Sequence, residues 1–394
     1  MTELALELKK LGHQITVLTT TPHYNVEPEA RRKQPLSPKW VGLLYRSDCG
    51  IPVYHVPVRE KGARVVSRLI DYVRFHVMST IAGLVFNESY DVILAPSPPL
   101  TIGLSAWILG SARHVPFIYN VQEIYPDLAV SLNLIRNKYL IRMMELMERF
   151  IYDQAKMNVV ISEWFKERLL LKGVKSNKIS TIPNFVNVDF MRPSNKNNNF
   201  AKNYELLKKF VVLYAGNIGM TQSFETVIEA AQRLVYIEEI QFVILGNGVR
   251  LEWLNRELSK NFVTNIKLLP YQPQSMVPFI YASSDVCLIP LKKGTAQETF
   301  PSKIYTIMAS GRPAIVSADK DSELAWIVER AKCGIVVPPD DSKALANAVE
   351  YAFHQPIRLG EMGHKGREYV VQHHSHQSVA LQYHRLISEI LSSK

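Results

Sequence analysis

The sequence lacks the patterns that mark disulfide-rich, zinc-binding and nucleic-acid-binding proteins. Its three cysteines, at positions 49, 287 and 333, are an odd and widely spaced set, which excludes a disulfide framework. The same spacing excludes a zinc site, and the eleven histidines form no H-E-x-x-H cluster. No segment matches a nucleic-acid-binding module. We therefore expect buried free thiols in a reducing compartment, no metal ion and no nucleic-acid partner.

Long apolar segments are also scarce. The first ten residues, M-T-E-L-A-L-E-L-K-K, include acidic residues and no long apolar core, so they are not expected to form a signal peptide. The longest nearly uncharged run, residues 96–112, is short and is interrupted by prolines and a glycine, which disfavours a membrane-spanning helix. The sequence therefore predicts a cytoplasmic protein.

The composition that is present is globular and basic. Hydrophobic residues make up 47% of the chain and charged residues 21%, as in well-packed soluble domains. A chain of 394 residues exceeds the usual size of one core, so we expect two domains. The net charge of +10 favours anionic partners, either phosphate groups or the anionic inner face of the plasma membrane, where the protein would be peripheral.

Strand-like apolar runs alternate with helix-like segments in both halves of the chain. The predicted strands are residues 14–20, 92–95, 117–119, 158–161, 211–215, 241–245, 266–269, 286–291, 314–317 and 334–337. This alternation predicts an α/β protein with parallel doubly wound sheets, in which polar clusters after the strands face a cleft. The Asn- and Lys-rich stretch 194–209 has the composition of a domain boundary, and we predict domains at 1–190 and 191–375.

Three further segments carry local predictions. The Pro- and Arg-rich residues 22–50 read as a loop. The histidines at 373, 374 and 376 precede the last helix and are expected to be solvated. Residues 61–86 read as one long helix, with Lys61, Arg64 and Arg68 on one face and Val73 and Val77 on or near the other. Such a helix either rests on acidic lipid or packs on the sheet through its apolar face.

The stretch 298–313, E-T-F-P-S-K-I-Y-T-I-M-A-S-G-R-P, follows an apolar run that predicts a buried strand. Ile304 and Ile307 recur at helical spacing, so Glu298, Ser302 and Lys303 are predicted in the loop and first helical turn beyond that strand. Ligands bind at that edge of an open α/β sheet. A lysine with free backbone N–H groups suits a phosphate, and a glutamate suits sugar hydroxyls. The stretch therefore indicates a nucleotide sugar, the alternative being an ordinary helix start.

Two glycine loops follow strands in the second half of the chain, G-N-I-G at 216–219 and G-N-G at 246–248. Glycine lets the backbone come close to a phosphate, and the N-terminus of the following helix attracts anions. Each loop is a weak signal alone, because tight turns also need glycine. With the loop D-S-E-L that carries Glu323, there are three such loops at the ends of strands in one domain, and they are a stronger signal together.

The stretch 298–313 resembles the donor-site motif of the retaining family-4 glycosyltransferases, in which two glutamates flank seven residues. Glu298 fills the first position, and Thr306 stands where the second glutamate would be. The pattern P-S-K-x-x-x-x-M-A-x-G-x-P is similar to the bacterial branch that builds surface polysaccharides. The resemblance implies a GT-B fold, two Rossmann-like domains facing a cleft, with a last helix at 376–394 that returns to the first domain.

The resemblance also implies a reaction and its residues. A sugar would pass from a nucleotide diphosphate to a saccharide acceptor on a lipid carrier, with retained configuration and without a cofactor. Glu298 would orient sugar hydroxyls, and Lys303 would stabilise the leaving diphosphate. In the family an Arg and a Lys of a G-R-x-x-x-x-K loop hold the diphosphate, and Asn217 and Gln222 replace them here. The residues expected to bind the donor are Gly216, Asn217, Gly219, Gln222, Gly246, Asn247, Gly248, Pro301, Ser302, Thr306 and Glu323.

On the acceptor side, the resemblance and the polar clusters after strands indicate His23, Ser97, Glu123 and Asp127. The E-x-x-P-D segment that contains Glu123 and Asp127 reads equally well as a turn with a helix cap. Glu323 either reaches the cleft or caps a helix. The D-K-D at 319–321 matches the D-x-D of metal-dependent sugar transferases, but an ordinary turn is the better interpretation, so we expect a metal-independent site.

Two other functions remain open from the sequence. A sugar-nucleotide 2-epimerase of the GT-B type would share the fold and need no acceptor. A non-catalytic partner subunit of a transferase would tolerate the departures at Asn217, Gln222 and Thr306. The chain opens on a helix, whereas the family opens on a strand and a glycine loop, so we expect the natural start to lie upstream of Met1 and residues 14–20 to have one unpaired flank.

Overall fold

The computed structural model describes residues 1–22, 35–58, 65–86, 89–131, 135–261, 263–295 and 300–392, with the backbone alone at 65–70, 131 and 261. Helices and strands are numbered in chain order within those ranges. The chain divides into two compact units. Unit 1 comprises Met1–Pro183 and Val379–Lys394, and unit 2 comprises Asn184–Ser378. Both units contain parallel strands flanked by helices, which confirms the predicted α/β class.

Unit 1 begins with helix α1 and a small mixed sheet. The elements are α1 (Thr2–Lys10), β1 (Val17–Thr20), β2 (Ser37–Lys39), β3 (Leu44–Asp48) and β4 (Pro52–Val56). The strand order is β1-β4-β3-β2, with β1 parallel to β4, so β1 has no strand on its other flank among the described residues. The prediction of a loop at 22–50 is wrong for β2 and β3, which pair in antiparallel fashion across a turn of left-handed residues at Trp40 and Val41. Proline content hid this ribbon, because a short edge strand tolerates proline.

A second, fully parallel sheet follows in unit 1, with strand order β5-β6-β7-β8. Its elements are α2 (Val65–Val85), β5 (Ile93–Pro96), α3 (Ile102–Arg113), β6 (Phe117–Val121), α4 (Asp127–Ser131), α5 (Lys138–Gln154), β7 (Met157–Val160), α6 (Glu163–Leu171) and β8 (Ile179–Thr181). Every residue of β6 is buried, as expected for an inner strand covered on both faces.

Unit 2 is built on one six-stranded parallel sheet of order β11-β10-β9-β12-β13-β14. The strands are β9 (Phe210–Asn217), β10 (Ile240–Asn247), β11 (Ile266–Leu269), β12 (Val286–Pro290), β13 (Ala314–Ser317) and β14 (Gly334–Val337). The helices are α7 (Asn199–Asn203), α8 (Phe224–Arg233), α9 (Leu251–Asn261), α10 (Val277–Ala282), α11 (Lys303–Ala309), α12 (Glu323–Ala331), α13 (Ser342–Phe353) and α14 (Pro356–His373). A last helix, α15 (His376–Ser392), begins in unit 2, and its residues from Val379 onward belong to unit 1. The order reverses between β9 and β12, which is where an open α/β sheet binds ligands.

Helix α14 is absent from the predicted elements. Its interior holds Gly360, Gly363 and Gly366, and glycine disfavours helices by about 1 kcal/mol relative to alanine. Two of the three are needed for packing. A Cβ atom at Gly363 would lie 2.2 Å from the Gly311 carbonyl oxygen, and one at Gly366 would lie 2.8 Å from Cys333 Cβ. The helix therefore forms because its glycines let it approach α11 and β14 closely.

The expectation that the histidines before the last helix are solvated is wrong for two of them. His374 and His376 are 6% and 5% exposed, and the His374 ring stacks on buried Tyr305 at 4.2 Å. Between the two histidines, Ser375 forms an isolated parallel bridge with Val186. Burial lowers the pKa of His374 to about 4.

In the described part of the chain, no helix is both long and apolar enough to cross a membrane.

Candidate active site

Lys303 lies at the first position of α11 and reaches back to strand β9. Its Nζ stands 3.7 Å from the centre of the Tyr214 ring, which is buried on β9. It also lies against Gly216, since a Cβ atom there would come within 2.6 Å of Lys303 Nζ. Glycine at position 216 therefore allows the ammonium to sit at the carboxyl end of β9, beside the point where the strand order reverses.

No carboxylate among the described residues forms an ion pair with Lys303. Burial lowers the pKa of this ammonium to about 7. It makes no ion pair with any residue that the structure describes, and the ring of Tyr214 offers only a weak attraction of roughly 1 kcal/mol. An anion at this position would supply the missing negative charge and would raise the pKa again.

The two glycine loops are brought together by the pairing of β9 with β10. Gly216 lies opposite Gly246 in the register, and Asn217 lies opposite Asn247. A Cβ atom at Gly246 would meet the Gly216 carbonyl oxygen at 1.8 Å, and one at Gly248 would meet the Ile218 carbonyl oxygen at 2.2 Å. The loops are therefore packed backbone against backbone, and a larger residue at either position would separate them.

Polar side chains of the two glycine loops form hydrogen bonds within their own loops. Gln222 Oε1 accepts a hydrogen bond from the Gly219 N–H at 3.0 Å, and Gln222 Nε2 donates to Thr221 Oγ1 at 2.8 Å. Asn217 and Asn247 are exposed, and Asn247 Oδ1 accepts from the Gly248 N–H at 2.8 Å. None of these side chains carries a positive charge, so Lys303 brings the cation to the loop where the resembled motif has Arg and Lys.

Sequence reasoning did not single out the ion pair that supports these loops. Arg250 donates to both carboxylate oxygens of Glu225, at 3.1 and 2.5 Å, and its guanidinium lies 3.7 Å over the Trp253 ring. The Arg250 N–H also donates to the Ile218 carbonyl at 3.1 Å. Arg250 therefore ties the second loop to the first. The R-x-x-W spacing predicts such a stack on a helix, but the partner Glu225 lies too far away in the sequence to be inferred.

The remaining residues predicted to bind the donor lie around α11 and α12. Ser302 is exposed at the N-cap position of α11, and Pro301 and Thr306 are half-buried. Glu323 is the first residue of α12, whose N-cap is Ser322 accepting from the Ala325 N–H at 3.3 Å. Ser322 is therefore the N-cap residue, and Glu323 stands at the first helical position. Contact of these residues with a donor stays a prediction.

The D-x-D sequence forms a turn. Asp319 Oδ2 accepts a hydrogen bond from the Gly294 N–H at 2.8 Å, which joins two loops at the carboxyl ends of β12 and β13. Among the described residues there is no group of three or more His, Cys, Asp or Glu that would hold a metal ion. Asp319 thus has a structural partner. Glu298 in the donor motif and His23 on the acceptor side lie outside the described residues, and their assignments stay predictions.

On unit 1, the residues predicted for the acceptor follow β5 and β6. Ser97 is buried, and its Oγ accepts from the Gln122 N–H at 3.3 Å. Burial raises the pKa of Glu123, which hydrogen-bonds to Tyr125. Asp127 accepts from Lys172 at 2.7 Å and from Arg168 at 3.2 Å, so its carboxylate is already paired. Tyr125 is a further polar side chain at this edge that sequence reasoning missed.

The comparisons with known proteins agree with the two-unit fold. Residues 1–184 match the family model described as "Glycosyl transferase 4-like domain", and residues 195–369 match "Glycosyl transferases group 1". Sucrose-phosphate synthase from Thermosynechococcus elongatus has a similar fold, with a TM-score of 0.72 and 16% identity over 100% of this chain and 92% of that one. Anabaena Alr3699/HepE in complex with UDP and glucose gives a TM-score of 0.70 and 15% identity, over 98% and 95% of the two chains.

Two parallel-sheet units of this kind define a GT-B protein. The chain belongs to the family-4 glycosyltransferases, since the two family models match its two halves. Among curated relatives, "Putative colanic acid biosynthesis glycosyl transferase WcaI" of Escherichia coli (strain K12) is 25% identical over 90% of this chain and 88% of its own length. "Probable glycosyltransferase WbjE" of Pseudomonas aeruginosa is 24% identical over 66% and 65%.

Proposed function

We propose that this glycosyltransferase moves a hexosyl or N-acetylhexosaminyl group from a nucleotide-diphosphate sugar to a lipid-linked saccharide, with retained anomeric configuration and without a metal ion. The observation that carries the proposal is the position of Lys303. Its ammonium, which makes no ion pair within the described ranges, lies against Gly216 at the point where the sheet order reverses. The names of the relatives, which include colanic acid biosynthesis, support a place in surface-polysaccharide synthesis.

The chemistry requires a group that stabilises charge on the leaving diphosphate. As the bond between the anomeric carbon and the phosphate oxygen breaks, its electron pair stays on that oxygen. An ammonium in a site of low dielectric stabilises this charge more than water does. Lys303 meets that requirement from its place beside the loop 216–219, at the carboxyl end of β9. The new bond forms between the anomeric carbon and the oxygen of an acceptor hydroxyl, whose proton passes to the leaving phosphate oxygen, and Glu298 orients the sugar.

The donor is proposed to be a UDP-sugar, because solved structures of similar fold are described as complexes with UDP and with UDP-glucose. The acceptor is proposed to be carried on a membrane lipid. Support for a membrane comes from the net charge of +10, which favours an anionic surface at the inner face of the plasma membrane. Ser97, Glu123 and Asp127 would then face the acceptor saccharide.

Titration calorimetry with UDP tests the donor site without knowledge of the acceptor. We expect wild-type protein to bind UDP, and Lys303→Ala to weaken that binding by on the order of tenfold or more, since one charge-assisted contact is lost. Lys343→Ala, an exposed lysine on α13, is the matched control and should bind as wild type does. Equal UDP affinity in all three proteins would remove Lys303 from the diphosphate site.

Mass-spectrometric screening of nucleotide sugars with lipid-linked saccharides tests the reaction. Transfer to the acceptor supports the proposal. Conversion of a nucleotide sugar to its epimer without acceptor would identify a 2-epimerase instead. UDP binding with neither reaction, even with acceptor present, would point to a non-catalytic subunit.

A further inference from the structure

Three helices of unit 1 lie side by side, namely α2, α3 and α5. His76 of α2 hydrogen-bonds to Thr101 Oγ1 at 2.8 Å and to Ser105 Oγ on α3 at 3.2 Å. Farther along, a Cβ atom at Gly83 would lie 2.7 Å from Leu109. Helix α3 approaches α5 equally closely, because a Cβ atom at Gly103 would lie 2.4 Å from Ile151. The three helices therefore form one continuous layer.

The outward faces of this layer are apolar. On α2, the side chains of Val73, Val77, Ile81 and Val85 are exposed by 57%, 50%, 42% and 61%. On α5, those of Tyr139, Met143 and Leu146 are exposed by 89%, 53% and 56%. Between them, Ile108 of α3 is 44% exposed. Single exposed apolar residues are normal, but rows of them on neighbouring helices mark a surface that binds something apolar.

The exposure of residues on α2 bears on the two alternatives left open by the sequence, contact with acidic lipid or packing on the sheet through the apolar face. Val73 and Val77 were placed on the helix face that would pack on the sheet, and both are exposed. What α2 buries instead is Ser79 and Ala82, while Phe75 and Met78 are partly buried against the cluster that contains Leu44 and Val56. The face of α2 that carries Val73 and Val77 is therefore its outer face.

Cations flank the apolar rows. Lys138, Arg142 and Arg149 are exposed on α5, and Arg74 is exposed on α2. Arg142 pairs with Glu145 at 3.1 Å, whereas Arg149 has no ion pair with any residue in the described ranges. Of the opposing charges on these two helices, Asp153 is exposed at the far end of α5, Asp71 and Glu145 are half-buried, and Glu148 is buried and pairs with Lys172. An apolar stripe bordered by Lys and Arg is the pattern of a helix that lies in an anionic lipid interface.

The layer begins at the edge of the sheet where the acceptor is expected. Helix α3 follows the carboxyl end of β5, and α5 runs back from that edge toward the start of β7. Tyr72, at the start of the described α2 stripe, lies close enough to Tyr125 to contribute to the raised pKa of that phenol, after burial and Glu123. The apolar surface is therefore continuous with the polar edge of Ser97 and Glu123.

We propose that the outer faces of α2, α3 and α5 form a membrane-docking surface that rests on the anionic lipid of a bilayer. It would bring the acceptor edge of unit 1 to the level at which a lipid-linked saccharide leaves the membrane. The choice of a lipid acceptor rests on the proposed function; the docking itself does not. A second copy of the chain or another protein is the competing occupant, and the flanking cations favour lipid.

Sedimentation with vesicles tests the proposal on the full chain. Wild-type protein should sediment with vesicles of phosphatidylglycerol and phosphatidylcholine, much less with phosphatidylcholine alone, and less at high salt. Val77→Glu and Met143→Glu should each weaken binding by about tenfold, because each places a charge in the apolar interface. Arg149→Gln should weaken it about fivefold, the factor for one surface cation.

The matched controls are exposed apolar residues of unit 2. Val235→Glu and Ile357→Glu alter side chains that are 48% and 82% exposed, and neither should change vesicle binding. All four glutamate variants should keep wild-type affinity for UDP, which separates failure of docking from failure of the donor site. The proposal is overturned if wild-type protein ignores phosphatidylglycerol vesicles, if the controls lose binding equally, or if the protein is a dimer without lipid that Met143→Glu makes monomeric.

Discussion

At the scale of single residues, the donor edge is organised by one lysine and the glycines that make room for it. Lys303 was predicted from its place in the 298–313 pattern, and the structure places it against Gly216. Its position over the Tyr214 ring was not predictable, because contacts between strands and helices far apart in sequence leave no local pattern. The same limit hid the Arg250–Glu225 pair and the burial of His374.

The pKa of Lys303 leads to a testable pH dependence. The pKa is about 7 without ligand, and a bound diphosphate should raise it, because negative charge favours the ammonium. Below that pH the lysine is charged in both states. Above it the free protein has lost the proton and the complex retains it, so UDP binding should take up a proton and weaken as pH rises.

Calorimetry in two buffers of different ionisation enthalpy measures that uptake. At about pH 8 the observed heat should depend on the buffer, and Lys303→Met should remove most of that dependence. A heat that does not depend on the buffer in wild-type protein would show that Lys303 does not change its charge on binding.

Glu298→Gln should impair transfer more than folding. The residue is predicted in a polar loop, where it orients sugar hydroxyls, and loss of its charge removes hydrogen bonds to the sugar. Thermal unfolding and initial rates should be measured on this variant beside Glu229→Gln, an exposed control on α8. A Glu298→Gln protein that unfolds early but transfers normally would refute the motif interpretation.

At the scale of elements, the strands of unit 2 follow directly from their apolar runs. The predicted limits 266–269, 314–317 and 334–337 are those of β11, β13 and β14. Strand β13 gives this clear signal because both of its faces are covered, and the half-buried edge strands β11 and β14 were found from their apolar runs. Helix α14 and the β2–β3 ribbon gave no such signal. Helix α14 depends on glycines that matter through tertiary packing. The ribbon depends on a turn in which Trp40 and Val41 are left-handed as well as Gly42.

Replacement by alanine should have opposite effects on the free energy of unfolding at two glycines of α14. Gly363→Ala should destabilise the protein by about 1–3 kcal/mol, because the new methyl would lie 2.2 Å from the backbone oxygen of Gly311. Gly360→Ala meets no atom within 4 Å and should stabilise it by up to about 1 kcal/mol through helix propensity. Urea unfolding of both variants decides this, and equal effects would mean that close packing does not explain α14.

The turn at Asp319 predicts the response to chelation. Because its carboxylate accepts from the Gly294 N–H, we expect transfer to survive EDTA. Asp319→Asn should remain active as well, since the amide oxygen still accepts that bond. Activity that EDTA abolishes and Mn²⁺ or Mg²⁺ restores would identify Asp319 and Asp321 as metal ligands.

At the scale of the whole molecule, the two-unit α/β architecture was predictable from the alternation of strands and helices, and the family from the 298–313 motif. The exposed surfaces were harder to predict from the sequence. Helical periodicity placed Val73 and Val77 on one face of α2, but only the positions of α3 and α5 show that this face is open. A periodic pattern gives the faces of a helix, while its neighbours decide which face is buried.

The central claim is that Lys303 stabilises the leaving diphosphate during sugar transfer. The most direct measurement is kcat/KM for transfer from the donor identified by screening, in wild-type protein, Lys303→Ala and the control Lys343→Ala. We expect Lys303→Ala, folded as judged by its unfolding curve, to lose on the order of 10²-fold or more, and Lys343→Ala to match wild type. A folded Lys303→Ala protein with wild-type kcat/KM would contradict the account.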